Sequence, residues 1–288
     1  MLDVKVFDVD HGFSVIIDPH NHHAIVLDIG FNSRSGAGAW QYLLKRHYPV
    51  VDCLIVPAYV PEHLDGMPEF LEHLAESGVT IQRLIANPSL PLEQFPELQE
   101  VSSWARNPLQ VTAKHHPECQ RISQSIAISG VNFTFFWSSP QVCQDVRDLS
   151  LVTFLSYEDI NMILPSDLKT AGWQTLLKCD EFRESLRQVN IFVASNHGRE
   201  DGYCSEVFEY CKPDLVIVSN EGGHPLSPIM LERYKRHAKG APDGVCDHNV
   251  SDHTVLTTHD NGTITVSKCL DRLRKVTSER YNSLVRAV

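Results

Sequence analysis

Residues 162–177 read Met162-Ile163-Leu164-Pro165-Ser166-Asp167-Leu168-Lys169-Thr170-Ala171-Gly172-Trp173-Gln174-Thr175-Leu176-Leu177. A short apolar run is stopped by a proline, an acid follows at once, and Thr170 to Leu177 reads as helix. This is the pattern of a buried strand, a polar residue at its carboxyl end, and a helix that returns over the sheet. The same order recurs along the chain. Val193-Ala194-Ser195-Asn196-His197-Gly198 closes the run Ile191 to Ala194, and Leu27-Asp28-Ile29-Gly30 closes Ala24 to Leu27. Asp52 to Val56 leads into Pro57-Ala58-Tyr59-Val60-Pro61-Glu62-His63, and Leu215 to Ser219 precedes Gly222-Gly223-His224-Pro225. Strand ends collect on one rim of a sheet, where sites form. The residues placed there are Asp28, Glu62, His63, Asp167, His197 and His224, with Asn196 beside His197.

Singly, each has a plain structural explanation: Asp28 as a turn acid, Asp167 as a helix cap, His197-Gly198 as a turn. Together they point to a metal. Zinc takes imidazole nitrogen and carboxylate oxygen, and a bridging aspartate can hold two ions.

Further strands are expected at Val4 to Val9, Ser14 to Ile17, Ile81 to Ile85, Leu149 to Ser156 and Gly262 to Val266. Ser125 to Ile128 and Asn132 to Trp137 read as a pair turning at Gly130. Helices are expected over Gly36 to His47, Pro68 to Ser77 (closed by Gly78), Glu181 to Gln188, Cys204 to Cys211 and Pro228 to Ala238. This order predicts two packed sheets with helices outside, folded as one domain over residues 1–288. The stretch 87–119 carries five prolines and reads as an irregular insertion. Its Leu90, Leu92, Phe95, Leu98 and Trp104 make it the candidate for contact with a partner.

The 288 residues carry 25 Lys and Arg against 36 Asp and Glu, a net charge of −11. That balance argues against a surface built for non-specific DNA or acidic-membrane binding. The eight cysteines form no Cys-x-x-Cys pair. The opening MLDVKVFDVD lacks the basic-then-apolar start of a secretory signal, and no apolar stretch approaches about 18 residues. The expectation is a cytoplasmic protein with reduced thiols and no membrane association. Among the 15 histidines, His20, His22 and His23 sit on a hairpin tip, where their spacing cannot bring all three to one ion. Neither a Gly-x-Ser-x-Gly nucleophile nor a phosphate-cradling glycine loop is present.

The motifs also carry a resemblance. Asp8-Val9-Asp10-His11-Gly12-Phe13-Ser14, Val26 to Gly30, Leu149-Ser150-Leu151-Val152, Ile163 to Asp167 and Val193 to Gly198 follow one another in a fixed order. Pro213-Asp214, His224-Pro225 and Gly262-Thr263-Ile264 complete the series. It resembles the metallo-β-lactamase superfamily, and more narrowly the hydrolase-like domain of bacterial competence DNA-uptake proteins. The resemblance implies an α/β architecture, an αββα sandwich of the metallo-β-lactamase type.

Its departures bear on function. Where the superfamily has His-x-His-x-Asp-His, this chain has Ala58-Tyr59-Val60-Pro61-Glu62-His63. Ala58 and Val60 offer no donor to an ion. Asn196 stands in the first place of the His-His-Gly motif, and Ser166 replaces a glycine. The resemblance therefore implies loss of the first metal position. At the second, Glu62, His63, Asp167 and either His197 or His224 remain as ligands. Glu62, His63, Asp167 and His197 are the catalytic candidates. The first expectation is a non-catalytic or weakly active binding or scaffold subunit of a bacterial system, with a protein partner or larger complex and no cofactor. The alternative is a metal-dependent hydrolase, a phosphodiesterase or nuclease, using one zinc or manganese ion. Nucleic acid enters as a partner through the resemblance alone.

Overall fold

The computed structural model describes residues 1–9, 11–32, 38–64, 66–90, 113–115, 120–122, 125–220, 225–241, 254–268 and 275–279. The first part of the chain supplies β1 (Leu2–Val6), β2 (His11–Asp18), β3 (His23–Phe31), β4 (Val50–Val56), β5 (Thr80–Ile81) and β6 (Leu84–Ala86). The second part supplies β7 (Ala113–His115), β8 (Gln120–Ile122), β9 (Ile126–Ile128), β10 (Val131–Trp137), β11 (Val152–Tyr157), β12 (Ile160–Leu164), β13 (Ile191–Val193), β14 (Leu215–Val218) and β15 (Val255–Thr257). The last strands, β16 (Thr263–Lys268) and β17 (Lys275–Glu279), return to the first sheet.

The first sheet has the order β17-β16-β1-β2-β3-β4-β5, with β6 also on β4. The second runs β15-β14-β13-β12-β11-β10-β8-β7, with β9 on β10. Each sheet mixes an antiparallel half with a parallel one. Strand β3 pairs parallel with β4, and β12, β13, β14 and β15 pair parallel in succession. Parallel pairing needs crossovers, and the helices supply them. On the first sheet lie α1 (Ala39–Lys45), α2 (Pro61–Leu64) and α3 (Met67–Glu76). On the second lie α4 (Thr170–Leu176), α5 (Asp180–Gln188), α6 (Val207–Tyr210) and α7 (Pro228–Lys235), and the short α8 (Thr258–Asn261) precedes β16.

Side chains alternate across each strand, so a strand covered on both faces reads as an unbroken apolar run. In β4, Cys53 and Ile55 enter the central core between the sheets, while Leu54 and Val56 join the outer core under α1 and α3. In β13, Ile191 and Val193 point inward and Phe192 outward; in β14, Leu215 and Ile217 do so against Val216 and Val218. Three apolar layers result, which is the αββα sandwich the sequence implied.

Differences from expectation have physical causes. The predicted strand Val4 to Val9 ends at Val6: the Phe7 N–H still bonds in register to the Ser14 carbonyl at 3.0 Å, and β2 is irregular from Ser14 back to His11. Leu149 closes a 3-10 turn, Val146–Leu149, capped by Asp145, so β11 starts only at Val152. Of Cys204 to Cys211 only Val207–Tyr210 is helical. Cys204, Val207, Phe208 and Cys211 all pack inward, and two successive turns satisfy that spacing as well as one helix. Most of the predicted insertion near 87–119, with Leu92, Phe95, Leu98 and Trp104, lies outside the described residues. Leu90 packs against the outer core of the first sheet, and Ala113–His115 is strand β7 rather than irregular chain.

Two buried polar groups outside the histidine cluster tie the structure together. Asn87, fully buried, donates from Nδ2 to the carbonyls of Ser138 at 3.1 Å and Leu149 at 2.8 Å, joining the end of β6 to the second sheet. Asp18, at the end of β2, accepts from Tyr42 Oη at 2.9 Å and the His20 N–H at 2.8 Å. Burial by itself would raise the Asp18 carboxyl. Hydrogen bonds from Tyr48, His20 and Tyr42 outweigh it and hold the group below its ordinary 3.8. A depressed carboxylate contributes stability above its unfolded pKa and loses it as pH falls through the folded value. Asp18→Asn is therefore expected to flatten the loss of stability below pH 3.8 in acid denaturation; an unchanged acid limb would refute the assignment.

Phe182 of α5 is fully buried, with ring centroids 5.1 Å from Phe136, 5.6 Å from Phe154 and 6.1 Å from Trp173. Phe182→Ala should cost about 3–5 kcal/mol in denaturant unfolding. A loss below about 1 kcal/mol would mean that this layer does not hold α5.

Candidate metal centre

The carboxyl ends of β3, β4, β12, β13 and β14 meet at one rim, because strands paired in parallel end on the same side. Each contributes one group. Asp28 lies in β3, His63 in α2 after β4, Asp167 follows β12, His197 follows β13, and Ser219 follows β14.

His63 is the centre of the arrangement. Its ring is buried, with Nδ1 in a short contact to Oδ2 of Asp28 and Nε2 3.2 Å from Oδ1 of Asp167. Nε2 of His197 lies 3.5 Å from that same Asp167 oxygen, and Nδ1 of His197 is 3.1 Å from the Ser219 carbonyl. The donor atoms of His63, Asp167 and His197 all lie within 4.8 Å of one another. Both imidazoles thus have Nδ1 fixed by an oxygen and turn Nε2 toward Asp167. This is how metal-binding histidines are held, with the second ring nitrogen on a carboxylate or carbonyl that sets tautomer and direction. Two imidazole nitrogens and a carboxylate oxygen form a zinc-type donor set with room for a further ligand, so the residues fit a single divalent ion.

The backbone around the cluster is unusual. Nine non-glycine residues among those described have positive φ, and four of them are Asp28, Ser166, Asn196 and His197. Such conformations cost about 1–3 kcal/mol each and collect at functional sites. Asp28 offsets part of its cost by accepting the Ile29 N–H at 2.7 Å. The turn Ser195–Gly198 is fastened to the neighbouring loop: the Asn196 N–H donates to the Ser166 carbonyl at 2.9 Å, and Ser195 Oγ donates to the Ser166 carbonyl at 3.2 Å and to that of Leu168. Gly198 has φ +75°, and a Cβ there would come within 2.9 Å of Val218. Only glycine lets this turn rest on β14.

The charges are coupled. Burial opposes a charge on His63, but the carboxylates of Asp28 and Asp167 outweigh it and hold the imidazole well above 6.5. Burial likewise pushes the Asp28 carboxyl up, against the lowering effect of His63. At Asp167 burial is overcome by His63, His197 and Arg147, which keep it ionised far below the usual range. Burial holds the His197 imidazole below 6.5.

The sequence brought forward Asp28, His63, Asp167 and His197, and these meet. Asp28 orients His63 instead of facing the donor set. Asn196 turns away, donating from Nδ2 to Asp201 at 2.7 Å. Glu62 begins beside His63 on α2, but its side chain, like His224, lies outside the described residues. Ala58 and Val60 are buried. Sequence reading missed Arg147, whose Nε is 3.5 Å from Oδ2 of Asp167, and the Ser219 carbonyl. No local signal marks either, since one is a surface-type residue and the other a backbone atom.

A small void of about 10 Å³ lies against Ser166, Asp167, His197 and Ser219, the size of one water. Beyond His197 a cavity of about 380 Å³ is lined by Asn220, Leu226, Met230 and Arg233 among others.

No protein-family model and no curated protein matches the chain. Solved structures do. The metallo-β-lactamase fold protein YhfI from Bacillus subtilis superposes with a TM-score of 0.56, over 92% of this chain and 100% of that one, at 9% identity. A variant of the CmlA β-hydroxylase superposes with a TM-score of 0.51, over 92% of this chain and 54% of that one, at 12% identity. CmlA is described as a diiron β-hydroxylase from Streptomyces venezuelae. At such identities the likeness establishes the fold, which is that of the metallo-β-lactamases.

His63→Ala would leave two buried carboxylates without their shared imidazole. A loss of about 3–5 kcal/mol in unfolding free energy is expected. A change under about 1 kcal/mol would show that the cluster does not bridge the sheets.

Proposed function

We propose that the chain binds one divalent ion through His63, Asp167 and His197 and acts as a metal-dependent hydrolase. The observation that carries the proposal is the fixing of both imidazoles at Nδ1, which leaves two Nε2 atoms and a carboxylate oxygen converging. Sequence alone put a non-catalytic role first; this convergence reverses the order. A bound zinc or manganese would supply Lewis acidity and lower the pKa of a coordinated water. The chain's own part is positional. Asp28 holds His63, the Ser219 carbonyl holds His197, and the strained turns after β12 and β13 hold Asp167 and His197 at the rim. The void beside Ser166 and Ser219 fits a small oxygen ligand, and the larger cavity next to His197 suits the body of a substrate.

The substrate class follows the narrower resemblance to competence DNA-uptake hydrolase-like domains: a phosphodiester, as in a phosphodiesterase or nuclease. The assignment of residues 1–288 to one such unit, a cytoplasmic location and a protein partner belong to the same proposal. No helix among the described residues is long and apolar enough to cross a membrane.

A second reading, a non-catalytic binding or scaffold subunit, is favoured by the buried Ala58 and Val60 and by the cluster's internal charge pairing. Elemental analysis of untagged protein separates the two. The hydrolase reading expects about one zinc or manganese per chain, lost in the His63→Ala, Asp167→Ala double variant along with turnover of a phosphodiester. Metal-free, inactive wild-type protein would leave the binding role standing.

A further inference from the structure

We infer that Arg147 is a fixed cation built into the centre, which weakens the hold on the ion bound there. The inference rests on the metal reading of His63, Asp167 and His197. Asp167 is buried, and its two oxygens face different charges. Oδ1 lies 3.2 Å from Nε2 of His63 and 3.5 Å from Nε2 of His197. Oδ2 lies 3.5 Å from Nε of Arg147 and has no hydrogen-bond partner among the described residues. One carboxylate therefore separates an imidazole pair from a guanidinium.

The guanidinium arrives on a pinned segment. The Asp145 carboxylate accepts the Arg147 N–H at 2.9 Å, and Ser150 Oγ donates to the Arg147 carbonyl at 2.7 Å. The adjacent Asp148 accepts from the Lys169 N–H at 3.2 Å and the Gly172 N–H at 2.8 Å. These bonds fasten the turn Val146–Leu149 to the segment that carries Asp167, so the two charges are positioned from the same piece of backbone. The Arg147 side chain is 27% exposed.

A guanidinium keeps its charge and has no lone pair for a metal. It sets a permanent positive charge, and no donor atom, against Oδ2 of Asp167. Its charge also repels an ion held on Oδ1, while it stabilises the ion-free carboxylate. Arg147 is thus a positioning and charge-setting residue that biases the centre toward its internally paired, ion-free state.

The test is a titration with Co²⁺ followed by visible absorption, since the chain's 15 histidines make bulk binding ambiguous. His63→Ala serves as the blank, and ion-free melting is measured in chelator. Wild-type protein is expected to take one ion, and Arg147→Gln one ion with affinity at least about ten-fold higher. Arg147→Gln should also melt lower than wild type in chelator, and Arg147→Lys, which keeps the charge, should bind as wild type does. Unchanged or weaker affinity in Arg147→Gln would overturn the inference and leave Arg147 as a simple support for Asp167. Should Arg147→Gln not fold, an altered affinity in Arg147→Lys is the refuting result. If wild type binds no ion but Arg147→Gln does, the inference stands and the hydrolase reading fails; if neither binds, the inference falls. Binding as expected without phosphodiester turnover would defeat the hydrolase reading alone.

Discussion

The rim of this molecule depends on one buried imidazole held between two carboxylates. Asp28 belongs to the first sheet and Asp167 to the second, so the His63 ring closes the sandwich where the sheets would otherwise present two unpaired carboxyl groups. Burying a carboxylate is costly unless it is paired. Here each carboxylate is paired through the same ring, and the cost of placing three ionisable groups in the interior is met by their mutual contacts. The same contacts set the direction of Nε2, so stability and the candidate chemistry share a single hinge point.

The loops that reach this point are not relaxed. Asp28, Ser166, Asn196 and His197 all take left-handed backbone conformations, and Gly198 follows them. Three layers of close-packed apolar side chains provide the stabilisation that offsets this strain. Strand ends of a parallel array also leave several loops free at one edge, and that freedom is what lets residues far apart in sequence converge. The likeness to solved metallo-β-lactamase folds at very low identity agrees with this division. Many sequences satisfy the layers, while a few rim residues decide what the rim does.

The rim of this chain pairs its charges within the protein. Apolar Ala58 and Val60 are absorbed into buried positions, and Arg147 brings a permanent charge to the outer oxygen of Asp167. A carboxylate that would otherwise attract cations from both sides is satisfied from one side by the protein itself.

Sequence alone fixed the layering. The runs Cys53 to Val56, Ile191 to Ala194 and Leu215 to Val218 are apolar at every position because both faces are covered, and a doubly covered strand leaves that mark locally. It also brought forward Asp28, His63, Asp167 and His197, since a polar residue after an apolar run is a local feature, although β3 runs on past Asp28 to Phe31 and His63 sits in α2. What it left open is non-local. Strands β7 and β17 are short edge segments of mixed polarity, which carry no periodic signal. The inward spacing of Cys204 to Cys211 is satisfied by two turns as well as by one helix. Only the folded chain decided that Asp28 holds His63 instead of facing an ion, that Asn196 turns to Asp201, and that Arg147 meets Asp167. Those outcomes depend on which loops the two sheets bring within a few ångströms, a distance set by packing across the sandwich.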